Sequence, residues 1–154
     1  DIAKRANGKL HMLRLLKRHY LPYQDLLTVY CSYIRPICEY VCPVWNGGLT
    51  IKQTNRLESI QKRALRIILG TLFSTYDDAL KICNLTTLTL RRENLCLSFM
   101  EKTLTHTNQF QEYFPPPPKR RSLRHPKKLT ELKSKTNRMK NSAIPYLVHL
   151  INSK

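Results

Sequence analysis

The sequence predicts an all-α protein: a small bundle of about five helices, followed by a proline-stiffened, basic, largely extended C-terminal tail. Three observations carry the prediction. Apolar residues recur at steps of three and four through the first two thirds of the chain. Four glycines in 154 residues are too few for a fold rich in tight turns or for a glycine-rich phosphate loop. After Phe114 the composition shifts abruptly to proline, lysine and arginine. The expected organisation is a helical bundle over 1–107, a Pro-rich and basic linker or tail over 108–141, and an apolar C-terminal segment over 142–154 that returns to dock on the bundle.

In the first helix Ile2, Ala6, Leu10, Leu13, Leu16 and Tyr20 form the apolar stripe. Lys4, Arg5, Lys9, Arg14, Lys17 and Arg18 fill much of the remaining circumference, and Gly8 weakens the helix by roughly 1 kcal/mol relative to Ala. Pro22 suits the first position of a second helix, in which Leu26, Tyr30, Ile34, Ile37 and Val41 repeat at helical spacing. Pro36 lacks a backbone donor and crowds the preceding turn, which predicts a kink or break near Arg35. A turn over 42–48 carries the only tryptophan, Trp45, placed to plug a groove between helices.

Thr50 is positioned to cap a third helix that ends before Gly70, with Leu57, Ile60, Ala64, Ile67 and Ile68 inward. Lys52, Arg56, Arg63 and Arg66 form a basic stripe on it, and its one acid, Glu58, pairs at i+4 with Lys62. A short fourth helix covers about 76–83, with Asn84 at its end. A fifth opens at Thr87, turns Leu88, Leu95, Phe99 and Met100 inward, and ends near His106. Pro115 to Pro118 form a stiff polyproline II stretch. Residues 119–140 hold ten basic residues against Glu131 alone and are expected to be extended or disordered until bound.

The formal net charge is +17, which favours a polyanionic partner, nucleic acid before anionic membrane. The charge is blocky: +5 over residues 1–20, +4 over 51–70 and +9 over 107–154. No apolar run approaches the about 18 residues that would span a bilayer. Five cysteines, an odd number, and no hydrophobic leader fit a reducing interior, nucleus and cytoplasm, rather than a disulfide framework. The opening Asp1-Ile2-Ala3 sits inside a helical pattern without an initiating Met, so the chain reads as a fragment of something longer.

Two groups of residues resemble catalytic or metal motifs, and neither meets the requirement. Tyr76-Asp77-Asp78 differs from the aromatic-x-Asp-Asp metal motif of polymerases, because Thr75 stands where the aromatic should be and the surroundings are helical. Ser74 or Thr75 capping a helix, with both aspartates facing its dipole, explains the pattern instead. Cys31, Cys38 and Cys42 share a helical stripe, but no second pair at zinc spacing accompanies them, and Cys83 and Cys96 stand alone. Core packing is the reading adopted for all five, so neither a metal site nor a catalytic residue is assigned.

The candidate binding residues are therefore the cations: Lys52, Arg56, Arg63 and Arg66, the first-helix Arg14, Lys17 and Arg18, and Lys119, Arg120 and Arg121 in the tail. Acidic partners are scarce around them, so phosphate contact is favoured over a merely solvated face. The tail has no aromatics between residues 115 and 145, which argues against base readout there and leaves backbone attraction or a nuclear import address.

A longer ordered string then stands out: Tyr30-x₃-Ile34-Arg35-Pro36-x₂-Glu39-Tyr40-x₂-Pro43-x-Trp45, followed by Arg56-Leu57-Glu58-x₂-Gln61-Lys62-Arg63-Ala64-Leu65-Arg66-Ile67-Ile68. It resembles the region after the polymerase palm in reverse transcriptases of non-LTR (LINE-type) retrotransposons. Leu85 to Arg92 and Ile144-Pro145-Tyr146-Leu147 resemble the rest of that region, so the likeness covers nearly the whole chain. It implies an α-helical thumb and C-terminal extension that holds RNA, an RNA–DNA hybrid or duplex DNA and packs beside the palm. Arg35, Pro36, Glu39, Tyr40 and Trp45 would be its structural motif. Catalysis in the family belongs to palm aspartates and their magnesium, and to a separate endonuclease, so no catalytic residue, cofactor, membrane or small-molecule substrate is carried over. The rival readings are a free-standing basic helical module that binds RNA or protein, a decayed retroelement product without activity, and, weakest, an enzyme in its own right.

Overall fold

The computed structural model describes residues 1–105, 109–118 and 128–153. Every regular element among them is helical, as the periodicity predicts. The order is α1 (Ile2–Arg18), α2 (Tyr23–Val29) running through a π turn at Tyr30–Ile34 into α3 (Arg35–Glu39), then α4 (Cys42–Trp45), α5 (Ile51–Leu69), α6 (Tyr76–Ile82), α7 (Leu88–Thr105), α8 (Asn137–Lys140) and α9 (Ala143–Asn152). The chain divides into two compact units, Asp1–Tyr40 with Thr50–Arg91, and Val41–Leu49 with Arg92–Lys154.

In the first unit α1 packs on α5 and on the α2–α3 segment. Ala3, Ala6, Leu10 and Leu13 form its buried stripe. The stripe stops a turn earlier than periodicity suggests: α1 ends at Arg18, and Tyr20 is 95% exposed with a positive φ of 59°. Pro36 acts as anticipated, and the form of the break is specific. Pro36 cannot donate to the carbonyl four residues back, and the turn before it widens, so the Arg35 N–H bonds the Tyr30 carbonyl, five residues back. The widened turn moves the inward position along by one residue. Tyr30, Ile34 and Cys38 are buried and Ile37 is half-buried; Val41 lies beyond the end of α3 at a positive φ of 51° and is exposed, so the stripe expected through those two is corrected.

Pro22 stands one residue before α2, at its N-cap with an extended ψ of 152°, rather than at its first position, whereas the signals at the ends of α5 and α6 are realised. Thr50 and Gln53 form a reciprocal capping box at the start of α5. Gly70 ends α5 at φ 58°, ψ −117°, a conformation that needs glycine, and Asn84 follows α6 at φ 50°. Thr75 caps α6, its Oγ1 accepting from the Asp78 N–H at 3.2 Å.

The core of the second unit is Cys42, Cys96, Met100, Leu129, Leu147, Val148 and Ile151, with Trp45, Phe99 and Phe114 packed against it. Asn46 links two of its elements, accepting from the buried Arg92 Nε at 2.9 Å and donating to the Tyr146 hydroxyl at 2.9 Å. Gly47 lies so close to Tyr146 that an added Cβ would sit 2.4 Å from its ring and 2.9 Å from the Asn141 carbonyl. Residues 128–136 carry no helix, yet they are anchored rather than loose. Asn152 Oδ1 accepts from the Lys128 and Leu129 N–H groups, the Thr130 N–H bonds the Pro116 carbonyl, and Leu129 is buried. Of the two expected states, extended or disordered, this stretch takes the extended one, held by one leucine side chain and Asn152, contacts that composition alone omits.

Candidate nucleic-acid interface

The rotation of α5 about its axis is fixed by a polar network on the side opposite its basic stripe. Gln61, 1% exposed, accepts from the Tyr30 hydroxyl at 2.8 Å and donates to the Tyr76 hydroxyl at 3.0 Å and the Thr86 carbonyl at 2.8 Å. Tyr76 in turn donates to Glu58 through a short hydrogen bond. Glu58 also accepts the Leu88 and Thr89 N–H groups at 3.1 and 3.2 Å, holding the first orphan donors of α7. The expected Glu58–Lys62 pair is corrected accordingly: an exposed i+4 pair offers little beside three donors fixed by tertiary packing. Burial pushes the Tyr30 hydroxyl well above its ordinary range; for Tyr76 burial acts first and the Glu58 carboxylate adds to it.

With that face held inward, Lys52, Arg56, Arg63 and Arg66 are all exposed. Two of the four are steadied by neutral groups that leave their charge uncancelled. Arg63 Nε bonds the Ser59 carbonyl at 3.2 Å, and the Arg66 guanidinium lies 5.1 Å from the Phe73 ring centre. Arg56 meets the Asp1 carboxylate at 3.1 Å, in a pair more than two-fifths exposed on both sides, where solvent and salt screen it. From Lys52 to Arg66 the helix rises about 21 Å, the rise of about six base pairs of B-form duplex.

Helix α1 lies parallel to α5, joined by the Asp1–Arg56 contact near their starts and by Lys17 near their ends. Arg14 and Arg18 are exposed. Lys17 is the exception: it is half-buried, and its Nζ donates to the Ile68 carbonyl at 2.9 Å, capping α5. Together α1 and α5 carry six and five basic residues, and Glu58, turned to α7, is the only acid within either helix. Lys119, Arg120 and Arg121 lie outside the described residues, as does the expected end of the fifth helix near His106.

The motif residues have distinct local tasks. Glu39 sits between Arg35, at 3.4 Å, and Arg91, at 2.5 Å, and ties α3 to the first turn of α7. Pro36 and Tyr40 are exposed beside α1. Trp45 packs on the second core under the Arg92 guanidinium, 6.0 Å from its ring centre. Reasoning from sequence passed over Lys9 and Tyr33. Lys9 Nζ reaches the Tyr33 hydroxyl at 3.5 Å and lies 5.4 Å from the ring centre, so aromatics do interleave with cations in the first unit. The signal was present as tyrosines 33 and 40 on the outer side of a segment whose inner side is Tyr30 and Ile34.

All five cysteines are thiols; four are buried and Cys31 is half-buried. Burial raises the pKa of Cys31 and Cys83, and a hydrogen bond with Cys42, with burial second, raises that of Cys96, the reverse of what activates a nucleophilic thiol. Among the described residues no group of three or more His, Cys, Asp or Glu is placed to hold a metal ion, and no helix is long and apolar enough to cross a membrane. No protein-family model matches the chain, and neither the curated proteins nor the solved structures give a match.

Proposed function

We propose that the chain grips primer–template nucleic acid through its phosphates, as the thumb and C-terminal region of a reverse transcriptase of a non-LTR retrotransposon. One observation carries the gripping: the parallel α1–α5 pair presents arginines and lysines outward while its buried polar contacts are made on other faces. Such a ridge attracts any sugar–phosphate polymer and positions it without reading sequence. The assignment to a retrotransposon polymerase rests on the resemblance in the ordered residue string, and with it come a palm domain as partner, residence in nucleus and cytoplasm, and RNA, RNA–DNA hybrid or DNA duplex as ligand. No catalytic residue and no cofactor are assigned to this chain; the family's magnesium belongs to the palm.

The test is the salt dependence of duplex binding. Replacing Lys52, Arg56, Arg63 and Arg66 together by Gln should flatten the log–log slope by about 3 to 4, at about 0.9 for each phosphate no longer neutralised. Circular dichroism should show an unchanged helix content, since all four side chains are exposed. An unaltered slope in the folded variant would remove the ridge from the interface.

A further inference from the structure

We propose that the groove between the first turns of α1 and α3 takes an unstacked nucleobase of a single-stranded overhang, with the base on the Tyr40 ring and its phosphate on Arg5. The proposal rests on the phosphate ridge for the adjoining duplex and adds a second kind of contact to it. The groove is lined by Ile2, Arg5, Pro36, Ile37 and Tyr40 and encloses about 400 Å³, within the range of sites that admit a small ligand. Its composition suits a nucleotide. Ile2, Pro36 and Ile37 give an apolar floor, and Tyr40, 75% exposed, presents a large ring at the edge. Arg5 is exposed and has no carboxylate partner among the described residues, so its charge faces whatever enters.

Position points to the same occupant. Ile2 in the groove directly follows Asp1, whose carboxylate touches Arg56 on the ridge, so the groove opens at the same end of α1 as that ridge arginine. One step further along α1 the pattern repeats, with Lys9 against Tyr33, itself half exposed. A cation on α1 thus stands opposite a tyrosine on the neighbouring segment twice in succession. Stacking rings beside cations are what single strands use, since every base has a face to stack and every link a phosphate. A duplex keeps its bases stacked and offers the rings nothing, so the groove serves the strand beyond the duplex end.

The experiment compares, by fluorescence anisotropy, three hairpins sharing one duplex: blunt, with a short single-stranded overhang, and with an abasic overhang of the same length. The intact chain should bind the based overhang about tenfold more tightly than the blunt or abasic hairpin, the worth of one stacked base. Tyr40→Ala should abolish that preference, Tyr40→Trp should keep it, and Arg5→Gln should weaken binding of the based overhang by a larger factor than binding of the blunt hairpin. Equal binding of based and abasic overhangs by the intact chain, or a preference that survives Tyr40→Ala, overturns the proposal. The two ideas fail separately: an unchanged salt slope in the quadruple ridge variant with an intact overhang preference removes the ridge and leaves the groove, and the converse removes the groove alone.

Discussion

Replacing Gln61 by Leu tests whether the buried network orients α5. The substitution keeps the bulk of the side chain and removes its three hydrogen bonds. The consequences differ by partner. Tyr76 retains Glu58, and Thr86 is exposed, so water can reach its carbonyl. Tyr30 is completely buried, and its hydroxyl is left without the Gln61 acceptor. An orphaned buried hydroxyl costs about 1–3 kcal/mol, and the missing bond to Tyr76 about a further 0.5–1 kcal/mol. A total of about 1.5–4 kcal/mol follows, which at a urea m-value of about 2 kcal/mol/M lowers the midpoint by about 0.8–2 M. The double variant Tyr30→Phe with Gln61→Leu removes both the donor and its missing partner. It should be more stable than the sum of the single effects by about 1–2 kcal/mol. Urea titration followed by circular dichroism measures all three variants. A destabilisation under about 0.5 kcal/mol for Gln61→Leu, or strict additivity in the double variant, would show that the network does not hold the helix.

Two further outcomes follow from the same structure. Gly8→Ala should stabilise the chain by about 1 kcal/mol in urea titration, since an added Cβ meets nothing within 4 Å at this exposed helical position. Stability should also fall as pH rises above about 9: Tyr30, Tyr76 and Cys96 have folded pKa values raised above their ordinary ones, so the unfolded chain ionises first and binds fewer protons. A urea midpoint that holds or climbs between pH 8 and about pH 10.5 would contradict that sign.

What the sequence discloses about this chain is set by distance along it. The Thr50–Gln53 capping box, the Thr75 cap and Gly70 after α5 are legible because donor and acceptor lie within a turn of each other. The break at Pro36 is legible for the same reason, but not its form: a widened turn rather than a stop carries the helix on to Glu39 and buries Cys38 in place of Ile37. Partners far apart in sequence defeat local reasoning. Glu58 has Lys62 one turn away, yet its acceptors serve Leu88 and Thr89, thirty or more residues on. Lys17 reads as one more surface cation until Ile68 is placed beside it, 51 residues later. The basic stripe on α5 survives because helical spacing alone determines that its members share a side.

The distribution of carboxylates explains why the ridge keeps its charge. The first unit holds fourteen lysines and arginines and six acids, Asp1, Asp25, Glu39, Glu58, Asp77 and Asp78. Glu39 lies between Arg35 and Arg91, Glu58 is occupied at the start of α7, and Asp78 faces Thr75 and Lys81. Among the described residues only Asp1 touches a ridge arginine, and that contact is exposed enough for salt to weaken it. Had Glu58 turned outward to Lys62, it would have placed a negative charge beside Arg63 and Arg66. Its inward role therefore serves two ends at once, closing the polar network that orients α5 and clearing the outer side of anions. Ser59 and Phe73 then steady Arg63 and Arg66 without neutralising them, so the side chains reach a phosphate with less orientational freedom left to lose. An electrostatic grip of this kind depends less on how many cations a chain carries than on where its few acids are placed.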